Sequence, residues 1–284
     1  MRVYGRIQKL SVKDRIIGVI VDGKLVYVHM TNKVLKEFKP YLTKKTYVIL
    51  EATDEKVVIE NISCLTLDYF IKIMVPSGKY TKVYFDINDI KNEIKSLVNS
   101  LNYKMFLDLE FSWPIPYSHM PAEILQYGFV IEDKDGNVVE EGSSLVRPLR
   151  NTSLNKGTLE FLHHEYSDFD NACPYVEFYQ LMERLINKYD PKIIAWGRND
   201  VITLEKSFKI NHLHPLDIRH RYINLMQVMK NYYNYKKEMG LFATYQELTG
   251  GEEQEQAHDA MEDAVIAKRI FDIFKERINN DQNL

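Results

Sequence analysis

Hydrophobic positions in the first 85 residues fall into short runs rich in Val, Ile and Tyr: Val3–Leu10, Ile16–Val21, Leu25–Met30, Thr46–Ala52, Val57–Ile62 and Ile71–Val75. Such residues suit a pleated, half-buried surface, and turn signals such as Asp22-Gly23 and Ser77-Gly78 punctuate the runs. Strands this closely spaced, with no long helical pattern among them, predict a small β-barrel over residues 1–85. Over residues 86–103 the period changes. Ile87, Ile90, Ile94, Leu97 and Val98 recur at helical spacing, so a linking helix is expected. From residue 104 a third pattern begins. Strands Met105–Ser112, Glu123–Glu132 and Asn137–Arg147 form a predicted antiparallel meander, with Lys134-Asp135-Gly136 as the turn between the last two. A helix Tyr175–Lys188, an apolar strand Ile193–Trp196 and further helices, ending in a long one near His258–Ile278, follow. This order predicts an α/β domain over residues 104–279, a mixed sheet with helices on both faces.

Composition narrows the class. Of 284 residues, 45% are hydrophobic and 27% charged, a globular rather than a disordered profile. The two cysteines, Cys64 and Cys173, have no metal-ligand spacing and read as reduced thiols, and no apolar run approaches the ~18 residues of a membrane span. A cytoplasmic protein without a membrane partner is expected. Charge is unevenly placed: residues 1–100 hold 17 Lys+Arg against 11 Asp+Glu, the remainder 20 against 29. A basic first third joined to an acidic remainder fits a nucleic-acid-binding module beside a carboxylate-rich one, although a solvated basic face fits it too.

Three acidic motifs stand out. In Met105-Phe106-Leu107-Asp108-Leu109-Glu110-Phe111, strand alternation puts Asp108 and Glu110 on one face. Paired carboxylates suit a hard cation such as Mg²⁺ or Mn²⁺, or simply face water. In Ile193-Ile194-Ala195-Trp196-Gly197-Arg198-Asn199-Asp200, a buried strand ends at glycine and Asp200 opens a helix, as a ligand or as a residue complementing the helix dipole. In Ala257-His258-Asp259-Ala260-Met261-Glu262-Asp263-Ala264, Asp263 borders an inward stripe of Ala260, Ala264, Ala267, Phe271 and Phe274. An inward carboxylate there needs a metal or a basic partner. His258, at or before the helix start, reads as a swinging imidazole or a cap.

Taken in order, the D-x-E strand, the Asp at a strand-to-helix junction and the H-x₄-D helix resemble the DEDDh class of 3′→5′ exonucleases, with a ribonuclease H-like fold. The resemblance runs from about Lys104 to Phe274. The Trp-Gly lead-in to Asp200, Arg221–Leu225 and Met239-Gly240-Leu241 are most similar to the branch that trims RNA. The sister class has Tyr four residues before the final Asp; Asp259 stands there, so the histidine class is favoured. Where the family has Leu-Thr-Gly-Ile, this chain has Phe161-Leu162-His163-His164-Glu165. The resemblance implies that Asp108, Glu110, Asp200 and Asp263 hold two divalent ions, Mg²⁺ or Mn²⁺, with Asp108 bridging. It implies that His258 is the general base. Trp113 and Tyr117, in the loop after the acidic strand, are placed to stack on a terminal base or to cover the sheet edge.

The first 53 residues resemble a cold-shock domain, an OB-type barrel that binds single strands. Gly5–Leu10, Arg15–Ile20 and Val26–Met30 carry that likeness. Tyr27 and His29 stand where stacking residues are expected, Leu10, Ile17 and Val19 stand where other aromatics would be, and Lys9, Lys13 and Arg15 supply charge. The expected protein is a metal-dependent 3′→5′ exonuclease of single-stranded nucleic acid, RNA favoured over DNA. Rival readings are a DNA repair or proofreading exonuclease, an inactive nucleic-acid-binding adaptor, and a barrel that binds protein instead.

Overall fold

The computed structural model describes residues 1–76, 80–113, 120–251 and 258–281. Packing divides the chain into two units, Met1–Glu93 and a second beginning at Ile94, each with its own core. In the first, β1 (Arg2–Ser11), β2 (Ile16–Val21), β3 (Lys24–His29), β4 (Tyr47–Ile59) and β5 (Ile62–Pro76) close a five-stranded barrel, in the order β3-β2-β1-β4-β5 with β5 paired back to β3. The closing β3–β5 pair is parallel and the others antiparallel. β6 (Thr81–Asp86) adds to the outer edge of β5. Alternation sends Val3, Ile7, Ile17, Val19, Val28, Val48, Leu50, Phe70 and Ile73 inward. Between β3 and β4, helix α1 (Asn32–Phe38) is capped by Thr31, whose hydroxyl accepts the Val34 N–H, and buries Leu35.

Three features depart from the strand pattern. Helix α1 is seven residues long and buries one of them, too short to register as a period. The runs Thr46–Ala52 and Val57–Ile62 are not two strands. The chain stays extended through Ile59 and reverses at Glu60-Asn61, both in the left-handed region (φ 48° and 64°), a two-residue hairpin made without glycine. Ile17 and Val19 lie in the barrel core with no exposed surface, so they do not occupy stacking positions on its outside. Gly18 and Ile20 are the outward residues of β2: a Cβ at Gly18 would meet Lys9 and Tyr27, and Ile20 is 46% exposed.

α2 (Ile87–Ser100) leads into the second unit. Its strands are β7 (Lys104–Phe111), β8 (Ile124–Glu132), β9 (Val138–Arg147), β10 (Cys173–Pro174), β11 (Lys192–Ala195) and β12 (Tyr222–Asn224), in the order β10-β9-β8-β7-β11-β12. β7, β8 and β9 form the expected antiparallel meander, and β11 runs parallel to β7. The helices are α3 (Lys156–Phe161), α4 (Tyr175–Tyr189), α5 (Asn199–Ile210), α6 (Leu225–Tyr233), α7 (Leu241–Thr249) and α8 (Ala260–Asn280). On one face of the sheet Met105, Leu107 and Leu109 share a core with Phe178, Met182 and Leu185 of α4 and Leu204 and Phe208 of α5. On the other, Phe106 meets Phe271 of α8 edge-on at 5.4 Å. Helices therefore cover both faces. No helix among the described residues is long and apolar enough to cross a membrane.

The start of β7 is fixed by a buried charge pair. Lys104 and its register partner Glu132 are each 1% exposed and 3.2 Å apart, and the Lys104 ammonium also donates to the Asp133 carbonyl at 2.7 Å. Lys268 of α8 reaches the same carboxylate at 2.9 Å. Removing one member of a buried pair leaves the other charge poorly compensated, at a cost of about 3–5 kcal/mol. Because Lys268 still contacts Glu132, Lys104→Ala is expected at the lower end, about 3 kcal/mol. Urea denaturation of the variant measures this, and a loss below about 1 kcal/mol would show that the pair contributes little.

Candidate active site

The site is assembled on the far half of β7. Asp108 and Glu110 point to the α8 side, the face that also carries Phe106. Asp263, in the first turn of α8, comes down onto them, and oxygens of Asp108, Glu110 and Asp263 lie within 4.8 Å of one another. Asp200 reaches the same strand differently. β11 pairs with β7 only as far as Phe106, so the rest of β7 overhangs its neighbour. Gly197, at φ +93°, turns the chain from β11 into α5, and Asp200 in the first turn of α5 accepts the Leu109 N–H at 3.2 Å on the open edge. That bond satisfies a main-chain donor that would otherwise be buried without a partner.

Two residues of β8 set where α8 begins. Gln126, the register partner of Glu110, donates to Asp259 at 2.8 Å and accepts the Ala260 N–H at 3.4 Å. Asp259 is the N-cap, its other oxygen accepting the Met261 and Glu262 N–H groups. Gly128, the partner of Asp108, lies directly beneath the helix start: a Cβ there would fall 2.3 Å from the Ala260 carbonyl and the Met261 nitrogen. Glycine is required by close approach, not by its backbone angles. Neither residue stood out in the sequence. A lone glutamine among the apolar residues of the strand's first half was the available signal.

His258 precedes the cap in the left-handed region (φ 51°), and its ring lies on Phe161 with centroids 3.8 Å apart. Phe161 in turn faces Trp113 at 5.2 Å. Trp113 is 48% exposed and its backbone N–H donates to Thr158 Oγ1, so it belongs to the rim of the site and not to the core. His258 is thus held against an aromatic row, Phe161 from α3 and Trp113 from the segment after β7. Burial, then the neighbouring charge of His163, lowers its pKa, which favours a neutral imidazole able to accept a proton. Tyr117 lies outside the described residues.

The carboxylates are shifted the opposite way. Burial, followed by the charges of Asp200, Asp263, Glu110 and Asp259, holds Asp108 well above the ordinary carboxylate range. Burial, then Asp263, Asp200 and Asp259, raises Glu110 to about 8. Burial raises Asp200 to about 7, although its own backbone and the Leu109 N–H pull it down. These shifts describe a site that must take up either protons or cations. An all-oxygen donor set so tightly grouped fits a divalent cation of the Mg²⁺ or Mn²⁺ kind, which would offset both the burial and the repulsion.

The barrel residues singled out by sequence fall in three places. Lys9 and Tyr27 line one cavity of about 260 Å³ with Leu10, Ser11 and Lys44, the ammonium of Lys9 standing 5.7 Å from the Tyr27 ring centre. His29 instead accepts from Arg15 at 3.2 Å, and Arg15 also reaches Asn32 at 3.1 Å. Lys13 is exposed in the β1–β2 turn.

The acidic strand, the overhanging edge and the capped helix carry a recognisable pattern. The model of the Exonuclease family (RNase_T) matches residues 105–271, and the chain belongs to that family. It is a 3′→5′ exonuclease hydrolase, and the family implies divalent metal ions. It is 27% identical over 179 residues to the probable 3′-5′ exonuclease KapD of Bacillus subtilis (strain 168), covering 62% of this chain and 85% of that one. Among solved structures, the nuclease domain of 3′hExo, a DEDDh family member bound to rAMP, superposes with a TM-score of 0.55 at 16% identity, covering 65% of this chain and 96% of that one. Cell-death related nuclease 4 gives 0.53 at 19%, covering 64% and 65%. E. coli Exonuclease I with a dT13 oligonucleotide gives 0.50 at 18%, covering 62% and 41%.

Two outcomes follow. Because Glu110 and Asp200 have folded-state pKa values above their unfolded ones, the metal-free fold binds extra protons. Their contribution to stability is complete below the unfolded carboxylate range and is lost as pH rises through about 7 and 8. In EDTA the melting temperature is therefore expected to fall between pH 6 and pH 9, and a divalent cation should reverse the fall; a flat EDTA profile would contradict the clustering. Separately, Gln126→Ala removes two hydrogen bonds at the start of α8. A loss of about 1–2 kcal/mol in unfolding free energy is expected, with turnover reduced about tenfold as His258 and Asp263 lose their register. Wild-type turnover in a folded variant would show that the clamp does not govern the site.

Proposed function

We propose that the chain hydrolyses single-stranded nucleic acid from its 3′ end with the help of two divalent ions, Mg²⁺ or Mn²⁺, RNA being cut in preference to DNA. The observation that carries the metal-dependent reading is the convergence of Asp108, Glu110 and Asp263 within 4.8 Å on a strand edge that Asp200 also grips. Asp108, Glu110, Asp200 and Asp263 are the proposed ligands. When bound, the two ions would activate a water and stabilise the leaving 3′ oxygen. His258 takes the water's proton: it stands before Asp263 on a fixed left-handed residue, with a pKa that keeps it receptive. Trp113, beside Phe161 on the rim, offers a face for the terminal base.

RNA preference is supported by the barrel. Its strand order, with a helix between β3 and β4 and a parallel β3–β5 closure, is that expected of an OB-like fold. One structural neighbour is described as recognising the 3′ end of a histone mRNA stem-loop. DNA is the second reading, favoured by the neighbour solved with dT13. We assign strand holding to residues 1–85, with Lys9 and Tyr27 on the cavity wall as contacts, linkage to 86–103 and hydrolysis to 104–279. The site keeps all four carboxylates and the histidine, which speaks against an inactive adaptor. Two cysteines without a disulfide fit a cytoplasmic setting.

The test compares 3′-labelled and 5′-labelled RNA and DNA oligonucleotides with Mg²⁺, Mn²⁺ or EDTA. Loss of mononucleotides from the 3′ end only with metal, faster on RNA, is expected; undiminished cleavage in excess EDTA would overturn the metal assignment. His258→Ala should lower turnover ~10²–10⁴-fold while titration with Mn²⁺ shows near-normal binding. Asp108→Ala should lose both. Wild-type turnover in His258→Ala would mean that another group is the base.

A further inference from the structure

A second part of the barrel surface is held in shape by a set of side-chain hydrogen bonds. Residues 36–45 read Lys-Glu-Phe-Lys-Pro-Tyr-Leu-Thr-Lys-Lys. The turn that ends this segment is organised by Thr46, which is fully buried. Its hydroxyl donates to the Tyr41 carbonyl at 2.7 Å and accepts the Thr43 N–H at 3.0 Å, while Thr43 Oγ1 accepts the Lys45 N–H at 3.2 Å. Arg6 Nε donates to the Lys44 carbonyl at 3.1 Å and fastens the turn to β1. Leu42 goes into the core, and Tyr41, Lys44 and Lys45 are left outside.

The Tyr41 ring lies against that of Tyr84 on β6, with centroids 5.1 Å apart and planes 32° from parallel; each residue is 38% exposed. Lys82 places its ammonium 5.2 Å from the Tyr84 ring centre. Alternation on β6 sends the next residue, Phe85, inward onto Phe38 at 5.1 Å, and Phe38 onto Phe70 at 5.0 Å. The two exposed rings thus rest on a packed aromatic foundation. Lys36, Lys39, Lys44, Lys45 and Lys82 are all exposed, and Glu37 is the one carboxylate in residues 36–45 and 81–85. Lys44 also lines the cavity of Lys9 and Tyr27, whose wall carries the carboxylates of Asp14 and Glu60 as well, so the two surfaces are continuous there.

A merely solvated basic face has no need of two exposed tyrosines set side by side. A single strand matches both features: its phosphates the lysines, its unpaired bases the ring faces. Resting on the nuclease reading above, we infer that Tyr41, Tyr84, Lys44, Lys45 and Lys82 form a docking surface for single-stranded nucleic acid, gripping the strand on the 5′ side of the end being cut.

The test uses the full chain at pH 6.5 in EDTA and 5′-fluorescein-labelled 20-nucleotide single strands of RNA and DNA, followed by anisotropy. The double variant Tyr41→Ala/Tyr84→Ala is expected to raise Kd about tenfold, within the range of one lost base stack. Since that variant removes apolar contacts, its melting temperature is measured alongside. Lys44→Ser/Lys45→Ser touches only exposed side chains and is expected to lower the slope of log Kd against log salt by about 1.4, ~0.7 for each lost phosphate contact. Unchanged affinity in the first variant with an unchanged salt slope in the second would overturn the inference. So would an undiminished strand affinity in both variants accompanied by their loss of binding to a polyglutamate peptide. Hydrolysis of a dinucleotide by the wild type with Mg²⁺ reports on the nuclease reading alone. Weakened strand binding in the variants without wild-type dinucleotide hydrolysis would sink that reading and leave the surface standing.

Discussion

Mutual repulsion among buried carboxylates is the constraint on which the second unit is organised. Glu110, Asp200 and Asp263 are buried and Asp108 is half-buried beside them, and their charges oppose one another. A fold left to minimise its own energy would keep them apart. That they are together means that the surrounding packing overcomes the repulsion, and the apolar layers on both faces of β7 are what supply it. Met105, Leu107 and Leu109 behind the acidic face belong to a core that includes α4 and α5, so β7 cannot retreat from α8 without opening that core.

Geometry does the rest with few parts. The acidic pair needs only strand alternation. Asp200 needs a neighbour strand that stops early, so that one main-chain N–H is left open to a side chain from the following helix. Asp263 needs a helix that starts close to the sheet, and Gly128 permits that approach while Gln126 and Asp259 fix its register. The electrostatic strain is thus concentrated in side chains.

Much of this was legible in the sequence. The D-x-E alternation, the Trp-Gly junction before Asp200 and the inward stripe of α8 each follow from one periodicity, and all were readable in order. Gln126 and Gly128 were not, because their importance depends on what crosses over β8, a long-range fact that no local pattern records. The same reason hid the contact of Phe161 with His258, almost a hundred positions away in the chain, although Phe161 itself stood out in the sequence. In the barrel, inside and outside were inverted for Ile17 and Val19 because a one-residue shift in a strand reverses every side chain. The hairpin at Glu60-Asn61 was missed because its left-handed residues are not glycines, and α1 because one buried residue makes no period.

Helix α8 is tied to the sheet at two levels. Near its first residue Gln126 bonds Asp259 and Ala260; two turns on, Lys268 reaches Glu132, the residue that also holds Lys104 at the start of β7. The helix is a beam pinned at both supports, roughly 12 Å apart at 1.5 Å per residue. A pinned beam can neither slide nor roll as a whole, and Asp263 lies between the pins. The spacing between Asp263 and the acidic strand is therefore a built dimension, like the jaw width of a fixed gauge. Whatever enters must match the gauge, and adjustment is confined to the turning of carboxylate groups about their own bonds.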